Sequence, residues 1–483
     1  MRVPARAGDV LVTGLTLDSR RVRPGDLYAA LPGSRAHGAS FSAQAGEAGA
    51  VAVLTDAAGV AQAEAAGLPV VVVERPRSVL GAVAADVYGH PAQQLRTIGV
   101  TGTQGKTTVT RLLDDALLAA GVRSAVVGTV GTRIAGEAVK TSLTTPEAPD
   151  LHALFARMLE LEVDACAMEV SSHALVMGRV DGVVFDIAVF TNLGRDHLDF
   201  HADVEDYFQA KALLFTPEHA RTGLVNLDDE HGRRLLTEAS IPIRTFSLRP
   251  GAGADWTAVD VDAGPAGSSF TVLGPDGARV AGVVPLPGEF NVANALAAIA
   301  AAAEAGLDPQ AVADGIAASA GVPGRLERVD AGQDFAVLVD YAHKPDAVAA
   351  IMRTLRPVTE GRLIVVLGAG GDRDRGKRPV MGEIAAADAD LLVVTDDNPR
   401  SEDPASIRAE IVTGARGGTA EVVEIGDRRA AIAEALRRAR PGDVVVLAGK
   451  GHETGQEVAG VVHPFDDREV AREVLAELAG GAR

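Results

Sequence analysis

The sequence reads as an α/β protein of three domains: a small N-terminal α/β unit, a central parallel-sheet unit carrying an antiparallel excursion, and a C-terminal α/β unit. Three observations lead there. Short apolar strands alternate with helical stretches in two strong runs, the signature of doubly wound parallel sheets. A glycine-rich segment, TGTQGKTT at 101–108, turns a strand into a helix at the head of the first run. The length of 483 residues exceeds what one core serves, at about 150 residues per domain.

Residues 1–95 hold the strands LYAAL, AVAVL and PVVVVE between alanine-rich helical stretches. Two polar loops, TLDSRRV (16–22) and PGDLYAALPGSRAHG (24–38), carry Arg20, Arg21 and Arg35. In residues 96–324, TIGV, AVVGTV, ACAMEV, IAVFTN and GLVN are short buried strands separated by helices. Within that span, 245–286 reads as antiparallel strands with Gly/Pro turns. GEFNVANALAAIAAAAEAG, 288–306, is a helix, because alanine is the best helix former. GVPGRLERV, 321–329, reads as a linker or domain edge. In residues 325–483 the strands FAVLVDYAH, RLIVVLGAG, LLVVTDD and DVVVLAGKG each end in polar or glycine residues, so ligand contacts fall at the carboxyl ends of a second, Rossmann-like sheet. Its LGAGGDRDRGKR loop departs from G-x-G-x-x-G spacing, because Asp372 and Arg373 follow Gly371. A dinucleotide cofactor is therefore not implied.

The formal net charge of −19 argues against a nucleic-acid or anionic-membrane partner, and any anionic substrate must be met by local clusters of cations. Cys166 is the only cysteine, which excludes an internal disulfide and fits a reducing compartment. The N-terminus lacks the apolar core of a signal peptide, and no run is long enough to span a membrane. A soluble, cytoplasmic protein is expected.

The chemistry starts at 97–113, where Gly99, Gly102 and Gly105 let phosphate oxygens approach main-chain N–H groups at a helix N-terminus. Lys106 supplies a point charge, and Thr107 and Thr108 place hydroxyls where a phosphate-bound Mg²⁺ sits. The strict P-loop pattern fails by one residue, with Val100 where glycine belongs. Nucleoside triphosphate binding is the premise. Glu169, at the end of ACAMEV, is where a second Mg²⁺ ligand is expected. FTNLGRDHLDFH, 190–201, packs Asn192, Asp196, His197, Asp199 and His201 into one loop. Leu198 and Phe200 interleave them as in a buried, positioned loop.

TGTQGKTT, the TTP of 144–146, MEVSSHAL, TNLGRDHLDFH, YFQAK, GEFNVANALAA, GRLERV, DYAHKPD, GDRDRGKRP, DDNPR and AGKGHE occur in this order along nearly the whole chain. Together they resemble the Mur ligases, and within that family the branch that adds diaminopimelate. The resemblance implies domains at 1–95 (UDP-substrate binding), 96–324 (ATP binding) and 325–483 (amino-acid binding). It implies an ATP-dependent amide ligase of peptidoglycan precursor synthesis, joining diaminopimelate to the D-Glu γ-carboxylate of UDP-MurNAc-L-Ala-D-Glu through an acyl phosphate. The meso isomer is expected over LL, and the enzyme is expected to be a monomer.

By the same resemblance, Gly102, Thr103, Gln104, Gly105, Lys106, Thr107 and Thr108 meet ATP, with Asn294, Arg325 and Asp340 at adenine and ribose. Thr107, Glu169, His197 and Lys211 hold Mg²⁺, Lys211 as a carbamate, and Lys106, Lys211, His197 and Glu169 form the catalytic set. Leu17, Ser19, Ser34, Arg35 and Ala36 meet the uridine end of the nucleotide substrate, and Thr144, Thr145, Ser171 and Arg179 its acidic peptide end. Arg373, Asp397, Asn398, Pro399, Arg400, Gly449 and Glu453 meet the amino acid, with Arg400 and Arg373 as a buried cation pair around the distal carboxylate. Three positions depart from the family pattern: Gln104 for Asn, Met177 for a substrate-binding Gln, and Lys344 for Thr. A transport or switch ATPase shares the P-loop but predicts hydrolysis without an amine. A folate-polyglutamate synthetase shares the acyl-phosphate logic but lacks DNPR and the uridine-binding unit.

Overall fold

The computed structural model describes residues 10–141, 143–194, 196–197, 200–264 and 266–481. They divide into two compact units: Met1–Thr257 with Val272–Val280 and Asn294–Gly315, and Ala258–Thr271 with Ala281–Ala293 and Ile316–Arg483.

The first unit opens with a four-stranded parallel sheet, β1 (Gly14–Thr16), β2 (Asp26–Ala29), β3 (Ala52–Thr55) and β4 (Val70–Val72), paired in chain order. Every residue of β1–β3 is buried, which suits a parallel sheet covered on both faces. β1 was absent from the expected strands because three residues give too little periodicity to read.

The central sheet is built from β5 (Arg96–Thr101), β6 (Ser124–Val127), β7 (Thr132–Ile134), β8 (Glu137–Val139), β9 (Ala165–Glu169), β10 (Phe185–Phe190), β11 (Ala220–Asn226) and β12 (Ile243–Ser247). Their order is β12-β11-β10-β5-β9-β6-β7-β8. β5 lies centrally between β9 and β10, with Val100 beside Glu169 and Thr101 beside Phe190. The loops after these three neighbouring strands therefore emerge together, as carboxyl ends do in an open parallel sheet. Two features differ from expectation. β7 and β8 form an antiparallel hairpin on β6, and β12 with the start of β13 (Trp256–Gly264) still pairs parallel, so the parallel run reaches further than residue 245. β14 (Gly267–Leu273) and β15 (Arg279–Val284) follow β13 at that edge.

In the second unit, β16 (Glu327–Arg328), β17 (Ala336–Asp340), β18 (Leu363–Leu367), β19 (Leu391–Val394), β20 (Glu421–Glu424) and β21 (Val444–Ala448) take the order β16-β17-β21-β18-β19-β20. Ile364, Val366 and Val445 pack into one core while Val365, Leu367 and Val446 pack into another. That double covering is why these strands read as unbroken apolar runs. GVPGRLERV is more than a linker: β16 pairs antiparallel with β17, and Leu326 and Val329 are buried. A hairpin, β22 (Gly455–Val458) and β23 (Val461–Pro464), follows β21.

Candidate active site

The turn between β5 and the helix Lys106–Ala119 is held open by two glycines. Gly102 has φ +144° and Gly105 +88°, and a Cβ would stand 1.9 Å from Thr191 Oγ1 on the first and 2.5 Å from Asn294 Oδ1 on the second. Asn294 thus lies against the loop, and the helix N-terminus behind it is electropositive. Asn192 braces the turn: its carbonyl accepts from Thr103 N (2.9 Å) and its Oδ1 from Gln104 N (2.9 Å). Thr107 and Thr108 are buried in the first helical turn.

The Gly102 carbonyl accepts from Lys106 Nζ at 2.8 Å and from Lys211 Nζ at 2.9 Å. Lys211 is fully buried, and burial first, then the Lys106 charge, hold its ammonium well below the ordinary lysine range. Burial thus favours the neutral amine, the nucleophilic form, over the ammonium. Beside the turn, the buried Glu169 accepts Thr129 N (2.7 Å) on Oε1 and Thr129 Oγ1 (3.0 Å) on Oε2. The His197 ring lies edge-on to His173 at 4.9 Å and to Tyr207 at 6.0 Å. His201 is buried, bonded to Ser172 (2.9 Å) and Asp206 (3.2 Å), so it organises the loop. The expected burial of Phe200 does not hold: it is 43% exposed and stacks on His173 at 4.0 Å. Leu198 and Asp199 lie outside the described residues.

Of the residues expected at the peptide end, Thr145 Oγ1 donates to the Glu169 carbonyl (2.9 Å), Ser171 Oγ accepts Ala174 N (3.2 Å), and Thr144 Oγ1 lies 3.3 Å from Thr129 Oγ1. Arg179 Nε donates to Glu147 Oε1 at 2.9 Å, and Arg77 Nη1 to Oε2 at 2.9 Å. Met177 Sδ is 3.5 Å from Arg179 Nη2. A thioether accepts only weakly, and Arg179 Nη1 also donates to the Thr145 carbonyl at 3.4 Å. In the turn after β1, buried Ser19 donates to Gln44 Oε1 at 3.0 Å, two residues beyond half-buried Leu17. Ser34, Arg35 and Ala36 are exposed at a loop tip closed by the Pro32–His37 bridge.

The second unit carries the remaining residues at the carboxyl ends of its strands. Asp340 is buried and accepts Ala342 N and Leu326 N, each at 2.8 Å. Burial pushes its carboxyl up, and Arg325, whose guanidinium lies 5.0 Å over the Tyr341 ring, opposes that. Asp397 and Pro399 are buried after β19, and buried Gly449 follows β21. Arg400 has φ +53° and is tied to the β22–β23 hairpin through N–H to the Glu457 carbonyl (3.0 Å). Its side chain is 26% exposed, donates Nη1 to the Gly371 carbonyl (2.6 Å), and sits 3.4 Å from Glu457 Oε2. Arg373 is exposed. The expected buried cation pair is therefore corrected: Arg400 keeps solvent and a carboxylate, which lowers the cost of leaving it without a substrate anion. Lys344 is the N-cap residue of the helix Pro345–Leu355.

Comparison with known proteins matches three family models in sequence: "Mur ligase family, catalytic domain" at residues 11–88, "Mur ligase middle domain" at 100–302, and "Mur ligase, glutamate ligase domain" at 324–451. The chain belongs to the Mur ligase family. It is 60% identical over 479 residues to the UDP-N-acetylmuramoyl-L-alanyl-D-glutamate–2,6-diaminopimelate ligase of Streptomyces avermitilis, covering 98% of this chain and 94% of that one. The protein of the same name from Corynebacterium glutamicum is 51% identical over 489 residues, with 98% and 94% covered. A solved structure of a ligase so named is 36% identical with TM-score 0.71, covering 97% of this chain and 95% of that one.

Within this Mur ligase, sequence reasoning missed Thr129, Glu147, Arg77 and Lys450. Glu147 directly follows the TTP motif and was the most findable. Arg77 carried no local signal, since it meets Glu147 from a helix 70 residues away. Lys450 lies inside the AGKGHE motif, and its side chain is wholly buried by neighbours distant in the chain.

Proposed function

We propose that this Mur ligase joins diaminopimelate to the D-Glu γ-carboxylate of UDP-MurNAc-L-Ala-D-Glu, with ATP consumed through an acyl phosphate, in the synthesis of peptidoglycan precursors. The observation that carries the reading is the convergence of a glycine cradle, a buried carboxylate and two lysines at the ends of β5, β9 and β10, in a chain alike over its full length to relatives bearing that activity's name.

A carboxylate is inert to amines, so one of its oxygens must first become part of a leaving group. The γ-carboxylate takes the terminal phosphoryl group of ATP, ADP leaves, and the amine displaces phosphate from the acyl carbon. Residues 102–108 and Lys106 hold the phosphates, and Asn294, Arg325 and Asp340 the nucleoside. Thr107, Glu169, His197 and Lys211 as a carbamate would hold Mg²⁺, which when bound neutralises phosphate charge during transfer. Their fit rests on the oxygen donors of Thr107 and Glu169 beside the His197 ring nitrogen, and on the burial of Lys211, which favours the neutral amine that adds CO₂.

Leu17, Ser19, Ser34, Arg35 and Ala36 hold the uridine end, and Thr144, Thr145, Ser171 and Arg179 the peptide end. Arg373, Asp397, Asn398, Pro399, Arg400, Gly449 and Glu453 receive diaminopimelate, the meso isomer. The domains run 1–95, 96–324 and 325–483, and the enzyme works as a cytoplasmic monomer without nucleic acid or membrane insertion. A coupled phosphate-release assay with the nucleotide dipeptide, ATP and a panel of amino acids tests this. Turnover should require an amine and favour diaminopimelate over the rest of the panel in kcat/KM, and phosphate release without any amine would overturn the ligase reading.

A further inference from the structure

Lys450 and Asn398 share one buried network in the second unit. Lys450 Nζ donates to Asn398 Oδ1 at 2.9 Å and to the Gly455 carbonyl at 2.7 Å, and lies 3.5 Å from Asp397 Oδ1. The ammonium thus makes two hydrogen bonds and lies near two carboxylates, the second being Glu453 Oε2 at 3.9 Å, and the side chain has no exposed surface. It is sealed away from any substrate. Asn398 Oδ1 accepts a second bond from Glu457 N at 3.0 Å, while its Nδ2 donates to Glu453 Oε2 at 2.9 Å.

These partners determine the amide's orientation by their chemistry. An ammonium and a backbone N–H can only donate, and a carboxylate can only accept. Turning the amide over would set its NH₂ against two donors and its oxygen against Glu453, losing three bonds at once. In the held orientation both carbonyl lone pairs are used, and one Nδ2 hydrogen stays outside these bonds. Asn398 can then serve a ligand only as a donor, so it matches an oxygen anion. Glu453 and Asp397 are the groups suited to an ammonium.

We propose that Lys450 is a specificity-determining positioning residue: by occupying the Asn398 carbonyl it makes that amide recognise the distal carboxylate of the amino-acid substrate rather than its distal ammonium. The proposal rests on the reading of this pocket as the amino-acid site.

The test compares wild type with Lys450→Met on three amines: diaminopimelate, 2-aminopimelate, which keeps only the distal carboxylate, and lysine, which keeps only the distal ammonium. The expected result is a fall of about tenfold or more in kcat/KM for the first two by a common factor, with lysine and the KM for ATP changed less than about twofold. A loss confined to diaminopimelate and lysine, an equal fall for all three amines, or no loss at all overturns the proposal. Lys450→Gln, which keeps an N–H for Asn398, gives the same pattern at smaller amplitude and decides the matter if the Met variant does not fold. An unchanged KM for diaminopimelate in Arg400→Ala would instead show that the pocket itself is misassigned.

Discussion

Gly105→Ala is the sharpest test of the phosphate cradle, because two separate costs can be worked from its surroundings. The residue has φ +88°, where alanine pays about 1–2 kcal/mol for left-handed backbone. The new Cβ would also stand 2.5 Å from Asn294 Oδ1, which must withdraw by at least 0.5 Å to reach the 3.0 Å at which real Cβ contacts begin. Asn294 is only 7% exposed, so displacing its amide among packed neighbours costs about another 1 kcal/mol. The sum, roughly 2–3 kcal/mol, falls on the geometry that receives the nucleotide. It should lower kcat/KM for ATP by about 30–160-fold, while denaturant titration shows a comparable loss of stability. Adding Asn294→Ala removes the clash but not the backbone strain, so the double variant should be about 1 kcal/mol more stable than additivity requires. Wild-type stability and an unchanged KM for ATP in Gly105→Ala, or strict additivity in the cycle, would refute the reasoning.

Lys211→Ala should lack ligation activity and recover part of it with added short carboxylic acids, measured by product formation; full activity of the wild type in CO₂-free buffer, with unmodified lysine by intact mass, contradicts the carbamate. Arg400→Ala should raise the KM for diaminopimelate roughly 10–100-fold, nearer the lower end because Glu457 and solvent already attend the guanidinium, with the KM for ATP unchanged in the same steady-state assay. His343 is pulled down to about 4 from 6.5, chiefly by burial. The unfolded chain takes up this proton first, so stability should be full above about pH 6.5 and decline as pH falls towards 4. His343→Gln should flatten that part of a pH series of urea titrations, and an unaltered slope would show that the ring is not held neutral.

Much of this molecule was legible because the signals are local. A glycine-rich turn flanked by an apolar strand and an amphipathic helix needs no distant residue to be recognised, and Lys106–Ala119 forms where the pattern places it. The same holds for unbroken apolar strands covered on both faces. What escaped were elements defined by their neighbours. β1 and β16 have three and two residues, and only pairing makes them strands. Phe200 reads as core by type but spends its ring on His173 at the surface.

The side chains divide in the same way. The sequence by itself determined which residue types were present at the ends of the strands, since a strand's last residues are adjacent in the chain to the loop that follows. The order β10-β5-β9 was decided by tertiary packing, and it alone brings Glu169 and the Gly102–Gly105 turn to neighbouring positions. Pairing across the chain likewise set the ionic character of individual groups. Lys211 loses its ordinary basicity through burial beside Lys106, 105 positions earlier, and the Asn398 amide takes its direction from Lys450, 52 residues away. Desolvation and hydrogen-bond direction depend on what surrounds a group in space, and a linear string of residues carries neither.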